Sequence, residues 1–173
     1  MIKMTSAYAN KLIKKLEEDK DFWRNKESDS CYYTVASDEE PLIPDYDYAA
    51  VAKKIDEIDR KICAIKHSIN LANVTSKLEV NGEVLTVDAI LVRMAQLNKR
   101  KVILDSMRRR QPKTRLSSSY SSLKKQTVEY MYTNYDIELV KREYEQIDNV
   151  ISNMQLQLDK YNQTVEFEVD IEI

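Results

Sequence analysis

Residues 51–69 read VAKKIDEIDRKICAIKHSI, and in them Val51, Ile55, Ile58, Ile62, Ile65 and Ile69 recur at alternating spacings of three and four. A mean spacing of about 3.5 places all six on one stripe of an α-helix, the seam of a coiled coil. A second stripe, Ile137, Val140, Tyr144, Ile147, Ile151, Met154, Leu158 and Tyr161, does the same near the other end of the chain. The two stripes predict two long antiparallel helices with Ile62 and Ile151 as central core residues. Isoleucine at successive seam positions further favours assembly, since in parallel coiled coils it supports oligomers larger than dimers.

The rest of the chain fits around that frame. A single glycine and three prolines in 173 residues leave long segments free of helix breakers. A first helix is predicted from about Thr5 to Lys26, burying Ala9, Leu12, Leu16 and Trp23. Residues 27–46 hold Pro41, Pro44 and an acidic run and read as a break, with Cys31–Val35 as a candidate strand. Asp45 or Asp47 then caps the second helix, which runs to about Thr75. Leu78–Leu85 contains Asn81-Gly82 between short alternating segments, the pattern of a hairpin with a type I′ turn. Thr86 caps a third helix with Asp88 in its first turn. Its apolar residues, Ile90, Leu91, Met94, Leu97, Val102, Ile103, Leu104 and Met107, form a stripe too broad for one neighbour.

Pro112 and the Ser117–Ser122 run end the third helix and predict a flexible stretch over about 110–126. Val128, Tyr130 and Tyr132 alternate with Thr127, Glu129 and Met131 as a half-buried strand does, the fourth helix spans about Asp136 to Asn162, and Val165–Ile171 alternates as a closing strand. The fold class predicted is mainly α: one domain over residues 1–173, a four-helix antiparallel bundle of coiled-coil hairpins with a small β-sheet as minor component.

Several function classes lack their residues. Glycine-rich phosphate and dinucleotide loops and the nucleophile elbow each need several glycines. Glu-x-x-His pairs of dimetal bundles do not occur, and His67, the single histidine, is predicted to lie on the helix surface opposite the seam. Cys31 and Cys63 are far apart with no CxxC pattern and read as free thiols of a reducing cytoplasm. We therefore expect no enzyme, no catalytic residue, no cofactor and no metal. A charged amphipathic start and the lack of a long apolar run predict a cytoplasmic protein without signal peptide or membrane partner.

One charge feature stands out. Residues 99–125 hold ten basic residues against the single acid Asp105, and residues 126–173 hold eleven acids against three bases. Arg108, Arg109, Arg110, Lys113 and Arg115 are the candidate polyanion-binding residues, since Lys and Arg release counterions from a phosphate backbone. The plainer reading, which the slightly acidic net charge of -2 favours, is a basic helix end that meets the acidic segment of its own or a neighbouring chain. Tyr130, Tyr132 and Tyr135 admit a base-stacking platform but read first as strand and core residues. Asn70, Asn73 and Asn162 are expected to close helix ends through their side chains.

The stretches Asn70–Thr75, Asn81-Gly82 through Leu85-Thr86, Asp88–Arg93 and the late Asn162-Gln163-Thr164 resemble a family of uncharacterised bacterial helical proteins, some of which carry the label septicolysin. The likeness spans about residues 5–170 and rests on short structural motifs; it departs at Met94, where the family tends to place an acid after the arginine. It implies a fold and a bacterial source. The label itself would imply membrane damage, for which no apolar insertion segment is present.

The function expected from the sequence is that of a non-enzymatic, homo-oligomeric coiled-coil scaffold or protein-interaction protein. The alternative is a nucleic-acid or polyanion-binding module using residues 99–125.

Overall fold

The computed structural model describes residues 1–116 and 128–171; the Ser117–Ser122 run, Lys124 and Lys125 lie outside them. It is mainly helical, with β1 (Ile2–Thr5), α1 (Ser6–Ser30), α2 (Tyr48–Thr75), β2 (Lys77–Val80), β3 (Glu83–Thr86), α3 (Val87–Arg108), β4 (Lys113–Arg115), β5 (Tyr130–Tyr132), α4 (Ile137–Thr164) and β6 (Glu166–Val169). The chain forms two compact units, Met1–Lys77 with Leu158–Ile173, and Leu78–Gln157.

In the first unit α1 and α2 pack as an antiparallel hairpin. Ion pairs between Lys20 and Asp59 at 2.6 Å and between Lys66 and Glu17 at 3.6 Å mark the register. The seam of α2 faces inward, but its two columns differ in depth. Val51, Ile58, Ile65 and Ala72, seven apart, are buried, while Ile55, Ile62 and Ile69 are half-buried. His67 is exposed, as its register position predicts. Ile65 packs with Met4, Ala9, Ile13 and Val169, so the two chain ends close this core. They do so as an antiparallel pair in which Ile2 faces Val169 and Met4 faces Phe167. The expected closing strand is thus present, and its partner is a strand that precedes α1.

Local chemistry explains the helix ends. Thr5 Oγ1 accepts from Tyr8 N at 3.3 Å and Asp47 Oδ1 from Ala50 N at 3.1 Å, filling the role of N-caps. At the far end of α2 the Thr75 hydroxyl donates to Leu71 O at 2.8 Å. Asn70, Asn73 and Asn162 make no side-chain hydrogen bond among the described residues, and Asn73 Oδ1 is buried without a partner, so the asparagine caps are not formed. Residues 31–35 form no strand. They lie exposed with no neighbouring strand to satisfy their backbone, and an isolated strand is not stable in water.

In the second unit Asn81 and Gly82 have φ of 53° and 81°, the paired positive values of a type I′ turn, and β2 and β3 flank them as a hairpin. Thr86 is the N-cap residue of α3 but makes no side-chain capping bond. The inner face of α3 buries Val87, Ile90, Leu97 and Leu104. Instead of one small sheet the described residues form three separate two-stranded ribbons, β1/β6, β2/β3 and β4/β5. The first pairs the strands nearest the two chain ends, and the second flanks the Asn81-Gly82 turn.

Candidate functional site

The basic segment begins on the inner edge of α3, where it meets α4 of its own chain. Arg100 forms a forked pair with Glu143, with Nη2 3.0 Å from Oε1, and Lys101 pairs with Asp148. The bond from Lys101 to Asp148 holds its ammonium above the ordinary lysine range. Two turns later Arg108 Nε donates to Asp105 Oδ1 at 2.8 Å, and its guanidinium carbon stands 3.9 Å from the centre of the Tyr144 ring. Arg109 reaches the other oxygen of Asp105 at 2.9 Å. The Arg108 hydrogen bond, with the Arg109 charge beside it, holds the Asp105 carboxyl below its ordinary range. Of the five candidate residues, Arg108 and Arg109 are therefore engaged by the protein's own acid.

The other three sit on or beside a ribbon. Strand β4 pairs antiparallel with β5, Lys113 facing Tyr132, Thr114 facing Met131 and Arg115 facing Tyr130. Thr133 N donates to Pro112 O and Leu116 N to Glu129 O, which extends the ladder at both ends. Because successive side chains alternate, Lys113, Arg115, Tyr130 and Tyr132 share one face and Thr114, Glu129 and Met131 the other. Lys113 Nζ lies 4.1 Å from the Tyr130 ring centre and 5.4 Å from that of Tyr132, and the two rings are 6.5 Å apart. Tyr130 and Tyr132 are 44% and 62% exposed, so the reading of these tyrosines as core residues is corrected. On a ribbon of only three paired residues per strand, both rings stay open to solvent. Tyr135 alone turns inward, its hydroxyl donating to Met107 O at 2.8 Å.

Magnitudes rank the contacts on that face. An exposed cation–π contact contributes about 0.5–1 kcal/mol, whereas a nucleobase stacked on an aromatic side chain contributes about 1–3 kcal/mol. Arg110 and Arg115 have no side-chain partner among the described residues. Arg110 lines an open cleft of about 810 Å³ where the end of α3 meets the ribbon, together with Thr114, Met131, Tyr132, Asn134 and Tyr135.

Strand β5 is expected from its alternation, but its partner β4 escaped sequence reasoning because Lys113-Thr114-Arg115 is short, charged and falls in a stretch read as flexible. The broad apolar stripe of α3 was legible, but not that part of it lies exposed. Leu91, Ala95, Asn98 and Val102, spaced four, three and four, form an outer seam on α3, flanked by Val92 and Ile103. Leu91, Val92, Val102 and Ile103 are 46%, 59%, 70% and 52% exposed. The broad stripe thus splits into a buried seam and an exposed one.

Elsewhere the chemistry is sparse. Among the described residues no group of three His, Cys, Asp or Glu side chains is placed to hold a metal ion. Cys31 and Cys63 are exposed free thiols. Among the described residues no helix is long and apolar enough to cross a membrane. No protein-family model and no curated protein matches the chain. A solved structure does, that of a functionally unknown conserved protein from Corynebacterium diphtheriae, with 13% identity, a TM-score of 0.63 and coverage of 96% of this chain and 100% of that one. At that identity the likeness concerns the fold alone, and the shared fold is mainly α with minor antiparallel β.

Proposed function

We propose that the protein is a non-enzymatic, cytoplasmic scaffold that assembles with a second copy of itself through the outer face of α3. The observation that carries this reading is the exposed seam of Leu91, Val92, Val102 and Ile103 on a helix whose other seam is already buried. The occupant that fits is a second α3 in antiparallel register. A two-fold contact centred near Leu97 sets Leu91 against Val102 and Ile103 of the other copy, with Ala95 and Asn98 in the middle. A central Asn is a device that selects register at some cost in stability. In that arrangement Lys99 faces Ala95 of the other copy, so no like charges meet. The short motifs shared with the bacterial helical family support a common fold, and membership of that family belongs to this proposal.

Light scattering over a range of concentrations tests it. The native chain is expected to form a dimer or larger assembly, and Leu91→Asp with Val102→Asp to shift it to monomer without loss of helical signal. A native chain that stays monomeric at every workable concentration would overturn the reading.

A further inference from the structure

We propose that the face of the β4/β5 ribbon bearing Lys113, Arg115, Tyr130 and Tyr132 binds single-stranded nucleic acid, with the two tyrosines stacking adjacent bases and the cations taking phosphates.

The geometry supplies both halves of such a site. Two exposed rings stand with centres 6.5 Å apart and planes tilted by 51°, the Lys113 ammonium lies against both, and Arg115 shares their face by strand alternation. Stacking platforms joined to a cationic track are the general means of holding a single strand without reading its sequence. The electrostatics of the face are of one sign: the nearest ribbon acid, Glu129, alternates onto the opposite side. Arg115 has no ion-pair partner among the described residues. Among the described residues Lys113 is held only by the tyrosine rings, a contact weaker than base stacking. An arriving base therefore displaces the ammonium from the ring and leaves it free for the adjoining phosphate. A duplex does not offer this exchange, because its base faces are already stacked.

The self-pairing of Arg100, Lys101, Arg108 and Arg109 sharpens the assignment. Those cations are engaged with Glu143, Asp148 and Asp105, and the binding charge falls on the ribbon instead of on the helix. This site is independent of the outer face of α3, so dimerisation and strand binding can fail separately.

The experiment is fluorescence anisotropy on the full chain with labelled oligothymidylate and oligouridylate of about 12 nucleotides, a duplex of equal length, and heparin as a polyanion without bases. Single strands are expected to bind more tightly than the duplex or heparin at low salt. Binding of either single strand supports the proposal, and the pair of arms separates DNA from RNA. Affinity should fall about sevenfold between 50 and 200 mM salt if two phosphates are neutralised. Lys113→Gln with Arg115→Gln should flatten that dependence. Tyr130→Ala with Tyr132→Ala should weaken binding at least about 25-fold with the salt slope unchanged, and Tyr130→Phe with Tyr132→Phe should restore it. No single-strand binding at low salt overturns the proposal. So does equal binding of duplex or heparin, which needs no variant to fold, and so does indifference to the tyrosine-to-alanine change.

Discussion

Asp105 lies between two guanidinium groups, and its charge is what keeps Arg108 over the Tyr144 ring. Its folded pKa is depressed below the ordinary value of 3.8. A depressed carboxyl contributes stability above its unfolded pKa and loses that contribution as pH falls through the folded value. Asp105→Asn should therefore lower the urea midpoint at neutral pH, with the difference from the native chain narrowing below pH 3.8 and closing in stronger acid. An equal deficit at pH 7 and pH 2 would show that packing, not charge, is what the substitution removes. Gly82 offers a cleaner case of backbone chemistry. A Cβ added there meets nothing within 4 Å, so its whole cost comes from the φ of +81°. Gly82→Ala should cost about 1–2 kcal/mol in denaturant unfolding and leave the fold intact. The neighbouring Asn81, at φ 53°, tolerates the left-handed region and is held by Asn153, whose Nδ2 donates to its Oδ1 at 3.1 Å.

Among the elements, α2 shows how deep periodicity reaches and where it stops. The three–four spacing names six residues as seam, but it cannot say which column lies deeper. Ile65 is fully buried against residues of both chain ends, while Ile62 only borders that cluster. Ile65→Ala should cost about 2–5 kcal/mol through lost transfer energy and an unfilled cavity, Ile62→Ala clearly less, and His67→Ala near nothing. A larger loss at Ile62 than at Ile65 in urea unfolding would contradict the observed register. The same limit applies to α4, where Val140, Met154, Leu158 and Tyr161 are buried and Ile151 is half-buried. Helices and the Asn81-Gly82 turn were legible because their causes are local: spacing, caps and a positive φ. The β1/β6 and β4/β5 pairings were not: alternation marks β5 and β6 as strands, but their partners β1 and β4 are only four and three residues long and carry no local signal of what they pair with. For the candidate site, composition located the cations but not their partners. Only packing shows that Arg108 and Arg109 are turned to Asp105 while Lys113 and Arg115 face outward with two tyrosines.

Over the whole molecule, charge is segregated along the chain yet nearly balanced, at a net of -2. Part of the segregation is spent between neighbouring helices, as Arg100 and Lys101 on α3 with Glu143 and Asp148 on α4, and Lys20 and Lys66 with Asp59 and Glu17 in the other hairpin. All these pairs are partly or largely exposed, and such pairs contribute about 0–1 kcal/mol each. They select which faces meet and in what register; burial supplies the stability. Leu104, fully buried on the inner seam of α3, should cost about 2–5 kcal/mol when cut to alanine. Replacing Arg100 and Lys101 together by glutamine should cost about 1 kcal/mol, and that deficit should shrink as salt is raised to about 1 M, where the Debye length is roughly 3 Å. Urea unfolding of the three proteins at low and high salt measures both terms. A double glutamine variant weaker than Leu104→Ala, with a deficit that salt does not reduce, would mean that the charge pairs hold the second unit together.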